Sequence, residues 1–108
     1  MSLDISLKVA EEEVFSSNIT HNLSVMATKV SESFYRALWR PEELGLESAE
    51  DVLIELRKGV SSLAANPTFY KQFDAPNGWG LYEHFVPFVI QYIEACETFP
   101  KAKVSVWR

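Results

Sequence analysis

The first residues of the chain alternate in character. Leu3, Ile5, Leu7 and Val9 are apolar, and Asp4, Ser6 and Lys8 between them are polar. A period of two marks a strand with one buried face. The pattern returns at the other end, where Val104 and Val106 interleave with Ser105 and Trp107, and it predicts a second strand there. The acid triplet Glu11 to Glu13 reads as a solvated face or a turn. Val14 and Phe15 after it either extend the strand or re-enter the sheet.

From Leu23 onward the period lengthens. Leu23, Met26, Ala27, Val30, Phe34 and Leu38 recur at helical spacing and form one apolar stripe. The stretch "SSNITHNL" supplies the start of that helix, with Asn18 or Thr20 accepting from its first free amides. Glu32 and Arg36 stand four apart on the outer side, acid first, the favourable order. Pro41 ends the helix near Leu38, because the residue before a proline avoids helical angles.

After the connector "RPEELGLESAED", Ser48 and Asp51 form a variant capping box for a second helix. Val52, Leu53, Leu56, Val60 and Leu63 make its stripe. Gly59 inside it costs about 1 kcal/mol relative to Ala, which close packing would explain. Asn66-Pro67 then closes that helix and opens a short third one, anchored by Phe69, Tyr70 and Phe73. The loop "DAPNGWG" precedes the last helix, whose inner face carries Leu81, Phe85, Phe88, Val89, Tyr92, Ile93 and Cys96. Pro87 falls within it and predicts either a kink or a later start, and Pro100 ends it.

These elements predict a single α+β domain over residues 1–108. Strands from the two chain ends pair as a small sheet, and three to four helices pack on one face of it. Two strands alone are marginal, so helix packing must supply most of the stability. The composition agrees with a real core: 47% of residues are hydrophobic and 13% aromatic, too many for a disordered chain. Cys96 is the single cysteine, which excludes an internal disulfide and fits a reducing compartment; it reads as a small buried hydrophobe.

Charge narrows the partners. The formal net charge is −5, and no basic run offsets it, so neither nucleic acid nor an anionic membrane is an expected partner. Asp4 stands where a signal peptide needs positive charge, and no apolar run approaches about 18 residues, so a cytoplasmic location is expected.

Four stretches carry polar or aromatic residues beyond the needs of folding: "NITHNL", "LWRPEE", "NGWG" and "YEH". His21 with Asn22 could orient a ligand or act as a base, or His21 could simply bond a neighbouring carbonyl. Arg40, beside Trp39, could fork onto Glu42 or Glu43, or grip an anion. In "NGWG", Asn77-Gly78 signals positive backbone angles and Gly80 adds a second pivot. That geometry favours Trp79 as a lid turned onto the core, with Gly80 capping the last helix, ahead of Trp79 as a stacking platform. His84 and Glu83 lack a third ligand and any HxxxH or HExxH spacing, so no metal is expected, and no cofactor motif occurs. Ser16, Ser17 and Ser24 lie near His21 without a nucleophile elbow, so no catalytic set can be assembled.

With these blocks in view, the chain resembles a group of small, functionally uncharacterised proteins of bacteria and their phages and prophages. The resemblance rests on "NITHNLSVMA", "YRALWRPEELG", "NGWGLYEHFVPFVIQYIEAC" and "FPKAKVSVWR" in that order, and covers most of the chain from Asn18 onward. The stretch between Met26 and Tyr35 is longer here than in that pattern. The resemblance implies a context and no mechanism.

The leading expectation is a non-enzymatic accessory protein that binds a small polar or anionic ligand, or a protein partner. Its site would be a cleft where His21, Asn22, Trp39, Arg40, Asn77 and Trp79 meet. The alternatives are a small enzyme with His21 as general base and a structural homodimer joined through sheet edges.

Overall fold

The computed structural model describes residues 2–108 and shows an α+β fold with a three-stranded antiparallel sheet. Its strands are β1 (Ser2–Val9), β2 (Glu12–Thr20) and β3 (Lys103–Trp107), in spatial order β2-β1-β3. The two terminal strands pair as the alternation predicts, with Ile5 opposite Val106 and Leu7 opposite Val104. The correction is β2. The segment Glu12 to Thr20 is a full strand, and Asn18 lies in it opposite Asp4 rather than at a helix start.

The hairpin between β1 and β2 turns on two residues, Ala10 (φ 51) and Glu11 (φ 69), both left-handed. Such a turn normally announces itself by Asn-Gly or Asp-Gly. Ala-Glu carries no such signal, which is why the acid triplet reads as a solvated face or a turn: Glu11 is in the turn, but Glu12 and Glu13 open β2. Leu7 faces Phe15 and Lys8 faces Glu13, so Val14 is the extra residue of a bulge in β2.

Leu3, Ile5 and Leu7 point to the helices and are fully or almost fully buried, whereas Asp4 and Lys8 face outward. Across the outward face Ser16, Ser6 and Ser105 form a row of small polar side chains. Five helices form the other layer: α1 (Ser24–Val30), α2 (Glu32–Trp39), α3 (Ala49–Ala65), the short α4 (Pro67–Lys71) and α5 (Tyr82–Thr98).

The first predicted helix is two. Ser31 is extended (φ −171, ψ 156); its amide still donates to Ala27 O, and its Oγ accepts from Phe34 N at 3.0 Å. One serine therefore closes α1 and caps α2. Both halves stay in the core, since Met26, Ala27, Phe34 and Leu38 are all buried, so the stripe survives the break.

The capping box of α3 forms as expected: Asp51 Oδ2 accepts from Ser48 N at 3.1 Å and Glu47 N at 3.2 Å. The next two free amides, Ala49 and Glu50, donate to the carbonyls of Ala102 and Pro100. Together with the bond from Val104 N to Glu47 O, they tie the start of α3 to the approach of β3. Gly59 is explained by contact. A Cβ there would overlap the ring of Phe34, so α2 sets its phenyl ring directly on the α3 backbone.

In α4, Asn66 makes no side-chain cap, and Phe69 is 42% exposed, so Tyr70 is the buried anchor. Phe73 is half-buried, with Lys29 Nζ 5.4 Å from its ring centre. Helix α5 begins at Tyr82, well before Pro87, which excludes the later start. Cys96 is fully buried, and that burial pushes its thiol up to about 12. The thiol is therefore protonated and inert.

Candidate functional site

The end of β2 and the loop before α5 meet, although they are far apart in sequence. Asn22 Nδ2 donates to the carbonyl of Trp79 at 2.6 Å. On the near side, Thr20 Oγ1 accepts from Asn22 N at 3.3 Å and opens the short 3-10 turn His21–Leu23. On the far side the loop closes on itself. Ala75 N donates to Gly80 O, Gly78 N to Ala75 O, and Trp79 N to Asn77 Oδ1 at 2.9 Å. Tyr82 N then donates to Asp74 Oδ1 at 2.7 Å, so Asp74 supplies the helix-start acceptor. That overturns the reading of Gly80 as the cap of α5: Leu81 holds that position.

Gly80 has a different task. Its φ is +127, and a Cβ there would stand 2.9 Å from Asn22 Cβ and 3.4 Å from Thr20 Cγ2. Only glycine lets the loop come this close in that conformation.

The two segments enclose an open cleft of ≈ 1010 Å³. His21, Asn22, Asn77 and Trp79 line it. So do Asn18 and Thr20 from β2, Gly80, and His84 from the first turn of α5. Four of the six residues singled out in the sequence thus share one hollow.

Trp39 does not line it but lies beneath, 2% exposed, held between Tyr35 (centroids 5.6 Å apart) and Phe85 (6.5 Å). Its indole N–H donates to His21 Nδ1 at 3.0 Å. The expected bond from His21 to a neighbouring carbonyl is replaced by this tertiary one.

Arg40 stands outside the cleft. Its Nε–H donates to Tyr35 Oη at 3.4 Å and its guanidinium pairs with Glu43 at 3.4 Å. The bond to Tyr35 first, and Glu43 after it, hold the guanidinium above its ordinary value. Glu42 is taken by Arg108, whose guanidinium also donates to Trp39 O at 2.8 Å. Arg40 is thus engaged at the end of α2, and the expected anion grip at the cleft is absent.

Trp79 also departs from expectation. It is 71% exposed rather than folded onto the core. The core beneath is already filled by Trp39 and Phe85, and the bonds at the Trp79 amide and carbonyl fix the backbone so that the indole projects outward.

The chemistry of the cleft follows from its lining. Among the described residues, no Lys, Arg, Asp or Glu lines it, and its side-chain polar groups are amides, hydroxyls and two imidazoles. Among the described residues, an anionic ligand would find no Lys or Arg to pair with there, and a cationic one no carboxylate. Trp Nε1 can only donate, so His21 Nδ1 is the acceptor and a neutral His21 carries its proton on Nε2. The lone pair a general base would need is already engaged. No group of three or more His, Cys, Asp or Glu is placed to hold a metal among the described residues.

Asn18, Thr20 and His84 were not among the six. Thr20 appeared only as a helix cap, and Asn18 could be placed here only by seeing β2. His84, which the sequence offers only as an incomplete metal ligand, enters the cleft through the start of α5. No helix among the described residues is long and apolar enough to cross a membrane. Compared with models of known protein families, with curated proteins and with solved structures, the chain matches none of them.

Proposed function

We propose that the protein is a non-enzymatic binding module whose cleft takes a small, uncharged polar ligand. The observation that carries this reading is the junction of Asn22 with Trp79. It joins two remote segments into a preformed hollow whose largely apolar lining carries side-chain amides and two imidazoles and is edged by an exposed indole. Preformed clefts with a few polar groups and an aromatic wall are the usual form of small-molecule sites. The uncharged lining shifts the expectation from an anionic ligand to a neutral one. The resemblance to small phage and prophage proteins would make this an accessory function of such genomes.

Two features weigh against the alternatives. His21 accepts from a buried indole at the nitrogen a base would use, which disfavours acid–base catalysis. Of the two edges of the sheet, β2 is blunted by Glu12, Glu13 and the bulge at Val14, and β3 is bonded at its start to Ser48 and Glu47, features that discourage a second copy from adding along either strand.

A thermal-shift screen of neutral metabolites on the wild type, Trp79→Ala and Arg40→Ala tests the proposal. A ligand should stabilise the wild type and Arg40→Ala and fail to stabilise Trp79→Ala. Stabilisation by anions alone, lost in Arg40→Ala, would reject it.

A further inference from the structure

We infer that the ligand of this cleft is a carbohydrate, with the face of Trp79 as its stacking surface; this rests on the binding-module reading above. Three observations select that chemistry.

The first is the presentation of the indole. Trp79 is 71% exposed, yet its main chain is fixed at both the amide and the carbonyl. A large exposed aromatic on an ordered mount offers contact area with little further loss of freedom. The loop is therefore organised before anything binds.

The second is one-sidedness. Trp79 is the only Trp, Tyr or Phe among the described residues that line the cleft, since Trp39 and Phe85 lie buried below. A flat heterocycle has two apolar faces, and one of them would stay in water. A pyranose has one face of C–H groups for the indole, and its hydroxyls lose nothing by facing solvent.

The third is the hydrogen-bonding inventory. Asn18 has no side-chain partner among the described residues, Asn77 keeps Nδ2 free, and Asn22 keeps Oδ1 free. Amides both donate and accept, as sugar hydroxyls do. With no carboxylate, Lys or Arg in the lining, neutral hydroxyls match the site better than phosphate or carboxylate. At ≈ 1010 Å³ the cleft reaches the top of the usual range of about 300–1,000 Å³, which leaves room for more than one ring.

Trp107 is as exposed as Trp79 but does not compete for this role. The hollow beside it is only ≈ 290 Å³; it shares Asn18 with the cleft, but its other lining includes Asp4, Lys8 and Glu13, an ionic surface.

The test is an amide and indole NMR titration of the whole chain. The probes are glucose, galactose, mannose and N-acetylglucosamine, their trisaccharides, adenosine, and the neutral amide N-acetylglycinamide. At least one sugar should shift the Trp79 indole and the side-chain amides of Asn18, Asn22 and Asn77, leaving the Trp107 indole unmoved. Trp79→Ala should weaken that binding about tenfold, and Asn18→Ala about fivefold. Neither side chain is needed for the core, and an otherwise unchanged spectrum verifies that each variant folds.

Tighter binding of a trisaccharide than of its monomer would indicate a glycan chain, and equal binding a free sugar; both support the inference. Shifts at these resonances with adenosine or the amide, and with no sugar, would overturn the carbohydrate assignment and leave the binding module standing. No shift with any probe would overturn both. Sugar shifts centred on Trp107 would overturn the site.

Discussion

Trp39 and His21 are bound to each other through Nε1–H and Nδ1 at 3.0 Å, and one member of the pair is buried while the other lines the cleft. The core thereby sets the ring orientation of a residue at the site. Replacing His21 by Ala strands a buried indole N–H, which costs about 1–3 kcal/mol. Urea unfolding should show that loss for His21→Ala. A double-mutant cycle with Trp39→Phe should return a coupling of about 0.5–3 kcal/mol. Independent effects of the two substitutions would mean that the bond contributes nothing to stability.

Gly59→Ala sets helix propensity against packing. In a free helix the change gains about 1 kcal/mol. Here the new methyl group would overlap the ring of Phe34, and forcing extra volume into a packed core costs about 1–3 kcal/mol. A net destabilisation is expected, and the chemical denaturation midpoint should fall. A rise would show that Phe34 moves aside freely.

The β1–β2 turn should respond in the opposite direction. Ala10 and Glu11 both hold positive φ, at roughly 1–2 kcal/mol per residue for ordinary side chains. Ala10→Asn with Glu11→Gly installs the pair that such a turn prefers. The double variant should gain about 1 kcal/mol and a higher melting temperature, with the strand register unchanged by NMR.

Asp51 predicts part of the acid limb of stability. The backbone amides of Ser48 and then Glu47, which donate to its carboxylate, hold it below the ordinary value of 3.8. Because the folded value is the lower one, its contribution is complete above the ordinary value and is lost as pH falls through the folded one. Stability measured from pH 6 down to about pH 2 should therefore drop less steeply in Asp51→Asn than in wild type. At neutral pH that variant should lose about 1 kcal/mol, the usual worth of a helix cap. Parallel curves would assign the acid limb to other carboxylates.

Much of the fold was legible because its signals are local. Alternation gave β1 and β3, Ser48 with Asp51 marked the start of α3, and the stripe from Leu23 to Leu38 named core residues correctly even across a break. The break was hidden because Ser31 is small and polar, compatible with an exposed helical position as well as with a cap. Strand β2 was hidden because its residues sit on an edge, half in water, and its turn lacks glycine. At the cleft, side-chain type pointed to His21, Asn22, Asn77 and Trp79. Direction was not legible: whether Trp79 turned in or out depended on the volume already occupied by Trp39 and Phe85. Arg40 was misplaced for a similar reason, since Tyr35 and Glu43 claim it through contacts that no spacing rule singles out over the cleft.

The Asn77–Gly80 segment is held by main-chain atoms: the carbonyl of Trp79 ties it to Asn22, and the carbonyl of Gly80 closes the loop on Ala75. Its outermost side chain therefore stands on a pedestal whose geometry does not depend on what that side chain is. If the cleft binds as proposed, exchange at position 79 would alter what the molecule recognises while leaving its architecture intact, so recognition and folding could diverge on separate schedules.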